Sequence, residues 1–175
     1  MDELLRAMSP ITLAEMSGVK LMNRTDTKFV TTMPLLLQLL QMAQQDYYVQ
    51  DIDGERNMLY DTTYFDTRSY GMYKEHQHGH TGRQKLRFRT YVSSNLQFME
   101  IKTKNNHGRT KKKRIEVADM DLTDTEKRTF IAERLHFCVD DLMPHMHNYF
   151  HRITLVNRAK TERLTIDTQL QFNNV

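Results

Sequence analysis

The sequence predicts an α+β fold, an antiparallel β-sheet tunnel or barrel with helices packed outside it. Three observations carry this. Several short runs alternate apolar and polar residues with period two. Two other stretches, around Leu35–Met42 and Glu126–Leu135, carry helical apolar spacing. Consecutive strand-like runs are joined by short turns rather than by crossover helices, which favours antiparallel neighbours.

In chain order, Leu4, Leu5, Met8, Ile11 and Leu13 predict one or two short helical turns over Asp2–Met16, interrupted at Ser9-Pro10. A polar, β-branched run predicts a strand over Asn23–Thr32. Pro34 suits the first turn of a helix whose buried face is Leu35, Leu36, Leu39, Leu40 and Ala43. Tyr47–Asp53 reads as a strand ending at an Asp53-Gly54 turn, and Met58–Asp66 as another, rich in Tyr, Thr and Phe. Thr67–Gln77 can hold a short helix before a polar loop at His78–Gly82.

The clearest pair follows: Arg83–Val92 and Leu96–Lys104, joined by Ser93-Ser94-Asn95. A turn at Asn105–Gly108 leads to a strand over Lys111–Val117. A capping box, Thr123-x-x-Glu126, opens a helix with Phe130, Ile131, Leu135, Cys138, Val139 and Leu142 at apolar positions. Tyr149–Val156 and Arg163–Phe172 predict a last hairpin across Asn157–Glu162.

Length and composition fit one domain, residues 1–175, with an ordinary core and no fibrous or disordered character. The single cysteine, Cys138, excludes an internal disulfide and fits a cytoplasmic setting. The N-terminus holds Asp2 and Glu3 without an apolar run, and no stretch reaches the roughly 20 apolar residues of a membrane span, so the chain reads as soluble.

Net charge is +3, but it is unevenly placed: Arg83–Glu116 holds eleven Lys/Arg against two Glu, a local +9, and the remainder carries −6. Such a localised field draws anions to one place. Strand parity sharpens it. Arg83, Lys85, Arg87, Arg89 and Tyr91 share one face of their strand, and Leu86, Phe88, Thr90 and Val92 the other. Glu100, Lys102 and Lys104 oppose Met99, Ile101 and Thr103.

Solvated outer faces explain any one strand well. They explain the set less well, because like charges directly opposite across a sheet repel. A face so rich in Arg and Lys suits phosphate oxygens, and curled inward it would form a basic tunnel. Lys111–Arg114 extends it as a strand whose basic side faces the same anion. His76, His78 and His80, like His145 and His147 beside Pro144, read as exposed loop rather than a metal cluster. No Gly-rich phosphate loop, Ser-His-Asp set or Cys metal motif is present.

At these residues the chain resembles the VTC-type polyphosphate polymerase domain, a branch of the triphosphate tunnel metalloenzymes. The motifs are Arg24-x-Asp26-x-Lys28, Thr63–Thr67, Arg83–Tyr91, Glu100–Lys104, Lys111–Arg114, Tyr149–Arg152 and Arg163–Asp167, in order and at fitting spacings. The resemblance implies that Arg87, Arg89, Lys102, Arg152 and Arg163 contact the reacting phosphates. It also implies that Lys28, Lys85, Lys104, Lys113 and Arg114 bind substrate and that Glu100 is a metal ligand, with an ion-pairing role as the other option. ATP and inorganic polyphosphate are the implied partners, Mn²⁺ or Mg²⁺ the implied cofactor, and phosphoryl transfer onto a growing polyphosphate the implied reaction.

The opening motif lacks the first carboxylate of Glu-x-Glu-x-Lys, which fits the polymerase branch better than the triphosphatases. The family pattern runs on into further strands with a metal-binding glutamate and a Ser-Lys pair. A sequence ending at Val175 is therefore expected to give a domain truncated at its C-terminal end, with an incomplete tunnel. A triphosphatase and a non-catalytic polyanion-binding module are the alternatives. Nucleic acid is disfavoured, because Tyr91 is the main aromatic on the basic face and stacking would be poor.

Overall fold

A computed structural model describes residues 1–17, 27–105 and 110–175. Among these the chain is α+β, with eight strands and five α-helices, in two compact units. The first comprises Met1–Met58 and His151–Thr168, the second Leu59–Phe150 and Gln169–Val175.

The first unit begins with helix α1 (Asp2–Ala7), strand β1 (Ser9–Ile11) and helix α2 (Leu13–Ser17), so the Ser9-Pro10 break is a short strand. Helix α3 (Met33–Ala43) and strand β2 (Tyr47–Gln50) follow. Strand β7 (Leu142–Asn157) and strand β8 (Arg163–Asn174), which pair with each other, contribute their segments from His151 to Thr168. β2 is antiparallel to β7, with Tyr48 opposite Val156, whereas β1 lies parallel to β2, the exception to the antiparallel expectation.

The core of this unit is Leu5, Met8, Leu36, Leu40, Ala43, Val49, Ile153 and Leu155, with Leu164 and Ile166 packed on it. Of the five apolar α3 positions expected inside, Leu36, Leu40 and Ala43 are buried and Leu35 and Leu39 are exposed. One helix face can meet one core, so neighbouring positions a third of a turn away point outward. Arg56 ties the N-terminal segment down: its Nη1 donates to the Leu5 and Met8 carbonyls and its Nε to Asp51. The expected Asp53-Gly54 turn forms, with both residues at positive φ between bridged Ile52 and Glu55. Of the strand expected over Asn23–Thr32, residues 23–26 lie outside the described residues and 27–32 hold no strand.

The second unit holds strand β3 (Met58–Thr67), helix α4 (Gly71–Gln77), strands β4 (Gln84–Tyr91), β5 (Leu96–Lys104) and β6 (Thr110–Val117), and helix α5 (Thr125–Ala132). In sheet order the β7 segment ending at Phe150 neighbours β3, followed by β4, β5 and β6. The β4–β5 hairpin turns through Asn95 in the left-handed region, which Asn tolerates. The apolar face carries the core: Phe65, Leu86, Phe88, Met99 and Ile101 meet Met72 of α4 and Phe130 and Ile131 of α5.

Three local expectations change. Helix α5 stops at Ala132, so Leu135, Cys138, Val139 and Leu142 lie beyond it and Leu142 opens β7. The α5 cap is Asp124, whose side chain accepts from the Lys127 amide, while Thr123 bonds back to Asp121. His145 and His147 lie on β7 rather than in a loop: His145 Nε2 meets the Thr67 carbonyl at 2.9 Å and His147 Nε2 meets Asp61 at 2.6 Å.

Candidate functional site

The pleat of β3–β6 sorts the second unit's basic residues into rows. Residues paired across antiparallel strands share a face. Lys85, Lys102 and Lys112 stand opposite one another in one row across β4, β5 and β6. The next row along the strands is Tyr64, Arg87, Glu100 and Arg114, and the one beyond is Thr62, Arg89, Phe98 and Glu116. Lys104, opposite Thr110, follows the lysine row on its other side. The reverse face carries Leu86, Ile101 and Lys113 in one row and Phe88, Met99 and Ile115 in another.

Lys85, Arg87, Arg89, Lys102, Lys104, Glu100 and Arg114 are therefore together on one face, and Lys113 is not. Lys113 and Arg114, expected to serve one anion, stand on opposite faces of β6, and Lys112 is the residue in register with Lys102 and Lys85. Ile115 and Val117 hold the signal in the sequence: they set the odd positions of β6 on the apolar face, so Lys112, Arg114 and Glu116 stand on the polar one.

Glu100 is fully buried, and cations take both its oxygens. Arg87 Nε and Nη2 approach Oε2 at 2.7 and 2.5 Å, and Lys112 Nζ approaches Oε1 at 2.8 Å. Burial pushes its carboxyl up, but Arg87 and Lys112 outweigh that and hold it at about 2. Arg87 Nη1 also reaches the Tyr64 hydroxyl at 3.3 Å.

Lys102 is pushed down to about 8, first by burial, then by the charges of Arg87 and Arg89, with Lys112 adding to them against the pull of Glu100. Arg89, itself buried, is lowered by burial and by Arg87. Its Nε donates to Thr62 Oγ1 at 3.1 Å, and its guanidinium lies 5.1 Å from the Tyr60 ring centre and 5.9 Å from that of Phe150.

More aromatics share this face than the sequence suggested. Tyr60 stacks on Phe150 at 5.3 Å, Tyr91 meets Tyr60 and Phe98 edge-on, and Arg114 covers Phe98 at 4.4 Å. Asp66, in the Thr63–Thr67 motif, plays a structural part, accepting from the Thr67, Met72 and Tyr73 amides and so fixing the start of α4.

The remaining expected site residues belong to the first unit. Arg152 forms a two-pronged pair with Asp167 at 2.6 and 2.7 Å, so its fork is engaged by a carboxylate. Arg163 opens β8 as an exposed residue, and Lys28 is exposed in a segment without regular structure. Arg24 and Asp26 of the opening motif lie outside the described residues.

Glu100, the expected metal ligand, is a paired carboxylate among the described residues. No group of three His, Cys, Asp or Glu converges among them, and Glu100 already satisfies three cationic N–H donors.

Among the described residues no helix is long and apolar enough to cross a membrane. No curated protein matches the chain. Among solved structures, a candidate adenylate cyclase from Bacillus halodurans superposes with a TM-score of 0.46 at 12% identity, over 75% of this chain and 70% of that one. Another, from Vibrio parahaemolyticus, gives 0.35 at 12% identity over 72% of this chain and 63% of its own, so this chain spans less than two thirds of it. The sequence pattern of the VTC domain matches residues 23–175, nearly the whole chain. With its ordered motifs and its basic β-sheet face, the chain belongs to the VTC domain family.

Proposed function

We propose that this chain binds the phosphate chain of a nucleoside triphosphate or inorganic polyphosphate along the β4–β6 face. We further propose that it serves a polyphosphate polymerase reaction. One observation carries the reading: Lys85, Lys102 and Lys112 stand side by side in register across β4, β5 and β6. Like charges opposite one another cost stability, and a polyanion laid across the row removes that cost. Membership of the VTC domain family supports the same reading.

In the proposed reaction the bond between the β- and γ-phosphates of ATP breaks. The γ-phosphoryl group joins a terminal oxygen of the polyphosphate, and ADP leaves. Lys85, Lys102, Lys112 and Arg114 would spread positive charge over the oxygens as the transferred group loosens, with Arg87 held in place by Glu100. A divalent cation would enter with the triphosphate as its counter-ion. ATP supply makes the cytoplasm the proposed setting.

Binding without turnover is the second reading. It is favoured by Glu100, whose oxygens are occupied by Arg87 and Lys112 rather than open to a metal. Incubation with ATP and Mn²⁺ followed by gel analysis separates the outcomes. Long chains support the polymerase, free phosphate indicates a triphosphatase, and tripolyphosphate binding with neither product leaves the binding module.

A further inference from the structure

Asn148 is nine-tenths buried, and its side-chain carbonyl oxygen has no hydrogen-bond partner. A buried acceptor without a donor costs stability, and few such groups persist in a native fold without a functional reason. Its place is set by its neighbours on β7. His147 bonds Asp61, which shares the reverse face with Thr90, whereas Phe150 stacks on Tyr60 of the basic face. Asn148 alternates with His147 and falls in step with Phe150, so it stands on the basic face. Phe150, its neighbour on that face, stacks on Tyr60 and lies 5.9 Å from the Arg89 guanidinium, which sets Asn148 near the level of Tyr60 and Arg89.

The Arg89 level lies two rows, about 14 Å, from the lysine row, where the face turns from cationic to aromatic. An ionised phosphate chain offers acceptors only and gives an amide carbonyl nothing to bind. A nucleoside attached to a triphosphate lying over the cationic rows brings hydroxyl and amine donors to this level. We propose that Asn148 Oδ1 accepts a hydrogen bond from the nucleoside of a bound nucleoside triphosphate, and so sets the preference for nucleotide over bare polyphosphate at this site. The inference rests on the proposed phosphate-binding function.

The test is calorimetric titration of the whole chain with ATP and with tripolyphosphate, for the wild type and for Asn148→Leu. The ratio of ATP to tripolyphosphate affinity falls roughly tenfold in the variant if the amide reads a donor. An unchanged ratio overturns the inference. Should Asn148→Leu fail to fold, the wild type alone decides with inosine triphosphate, which lacks the exocyclic amine, and 2′,3′-dideoxy-ATP, which lacks the ribose hydroxyls. Weaker binding of either names the donor, and equal binding of all three overturns the inference. A wild type that binds neither ATP nor tripolyphosphate fails the proposed function itself, whereas tight binding of both with no discrimination fails this inference alone.

Discussion

Lys85 of β4 and Lys102 of β5 lie directly opposite each other, two lysines in one cross-strand pair, with Lys112 of β6 next in the row. A sheet selected for stability alone would set a carboxylate between them, as it does one row away where Glu100 separates Arg87 from Arg114. Lys112 also reaches across to Glu100 of that row, and under the proposed function a bound polyanion offsets the repulsion that remains between the paired lysines.

Proton uptake follows from Lys102. Its ammonium, held at about 8 rather than its usual 10.5, is largely deprotonated at pH 9 in the free protein. A bound polyanion favours the charged form, so tripolyphosphate binding at pH 9 draws in a proton. Titrations in two buffers of different ionisation enthalpy then give different heats at pH 9, and affinity falls as pH rises above about 8. Identical heats and a flat affinity from pH 7 to 9.5 would remove Lys102 from the site. By the same shift the unfolded chain holds the proton that the native chain lacks between pH 8 and 10.5, so this group's contribution to stability rises with pH there.

Glu100→Gln should cost about 3 kcal/mol at pH 7, because it leaves Arg87 buried beside a neutral amide. The Glu100 carboxyl sits at about 2 instead of 4.5. Its stabilisation is therefore complete above pH 4.5 and is lost as pH falls toward 2. Urea unfolding of both proteins checks this: the gap between them narrows from pH 5 to pH 2. Equal stability at pH 7 would mean the pair does not hold the sheet.

Ile101→Asp places a carboxylate on the apolar face, where Ile101 is 2% exposed among Leu86, Met99 and Phe130. Loss of the folded state by circular dichroism is expected. A soluble, cooperatively melting variant would show the faces reversed.

Gly71→Ala tests the α4 anchor. An added Cβ would lie 2.7 Å from Phe137 Cε1, on a ring packed against the second unit's core. A loss of about 1–3 kcal/mol is expected from overpacking. A thermal midpoint equal to wild type would show that the ring gives way freely.

Much of this was legible in the sequence because strand parity needs only one residue type every second position. The faces of β4 and β5 were readable from Leu86, Phe88, Met99 and Ile101 before any register was known. β6 was harder: Lys111–Arg114 puts bases on both faces, so the row that contains Lys112 depends on pairing with β5. Asn148 was hidden for another reason: an amide in a strand has no sequence signature, and only its buried, unpartnered oxygen marks it. The exposed Leu35 and Leu39 of α3 show that helical apolar spacing identifies a helix better than it identifies which apolar side is covered.

The most direct measurement is calorimetric titration of wild type, Lys112→Ala and Lys113→Ala with tripolyphosphate at fixed ionic strength, beside monophosphate and a short oligonucleotide. The two lysines are neighbours in sequence but occupy opposite faces of β6. Tight binding of tripolyphosphate alone is expected, weakened roughly tenfold by Lys112→Ala and less than about twofold by Lys113→Ala. Equal losses from both variants, or equal binding of oligonucleotide and tripolyphosphate, would contradict a phosphate site on the lysine row.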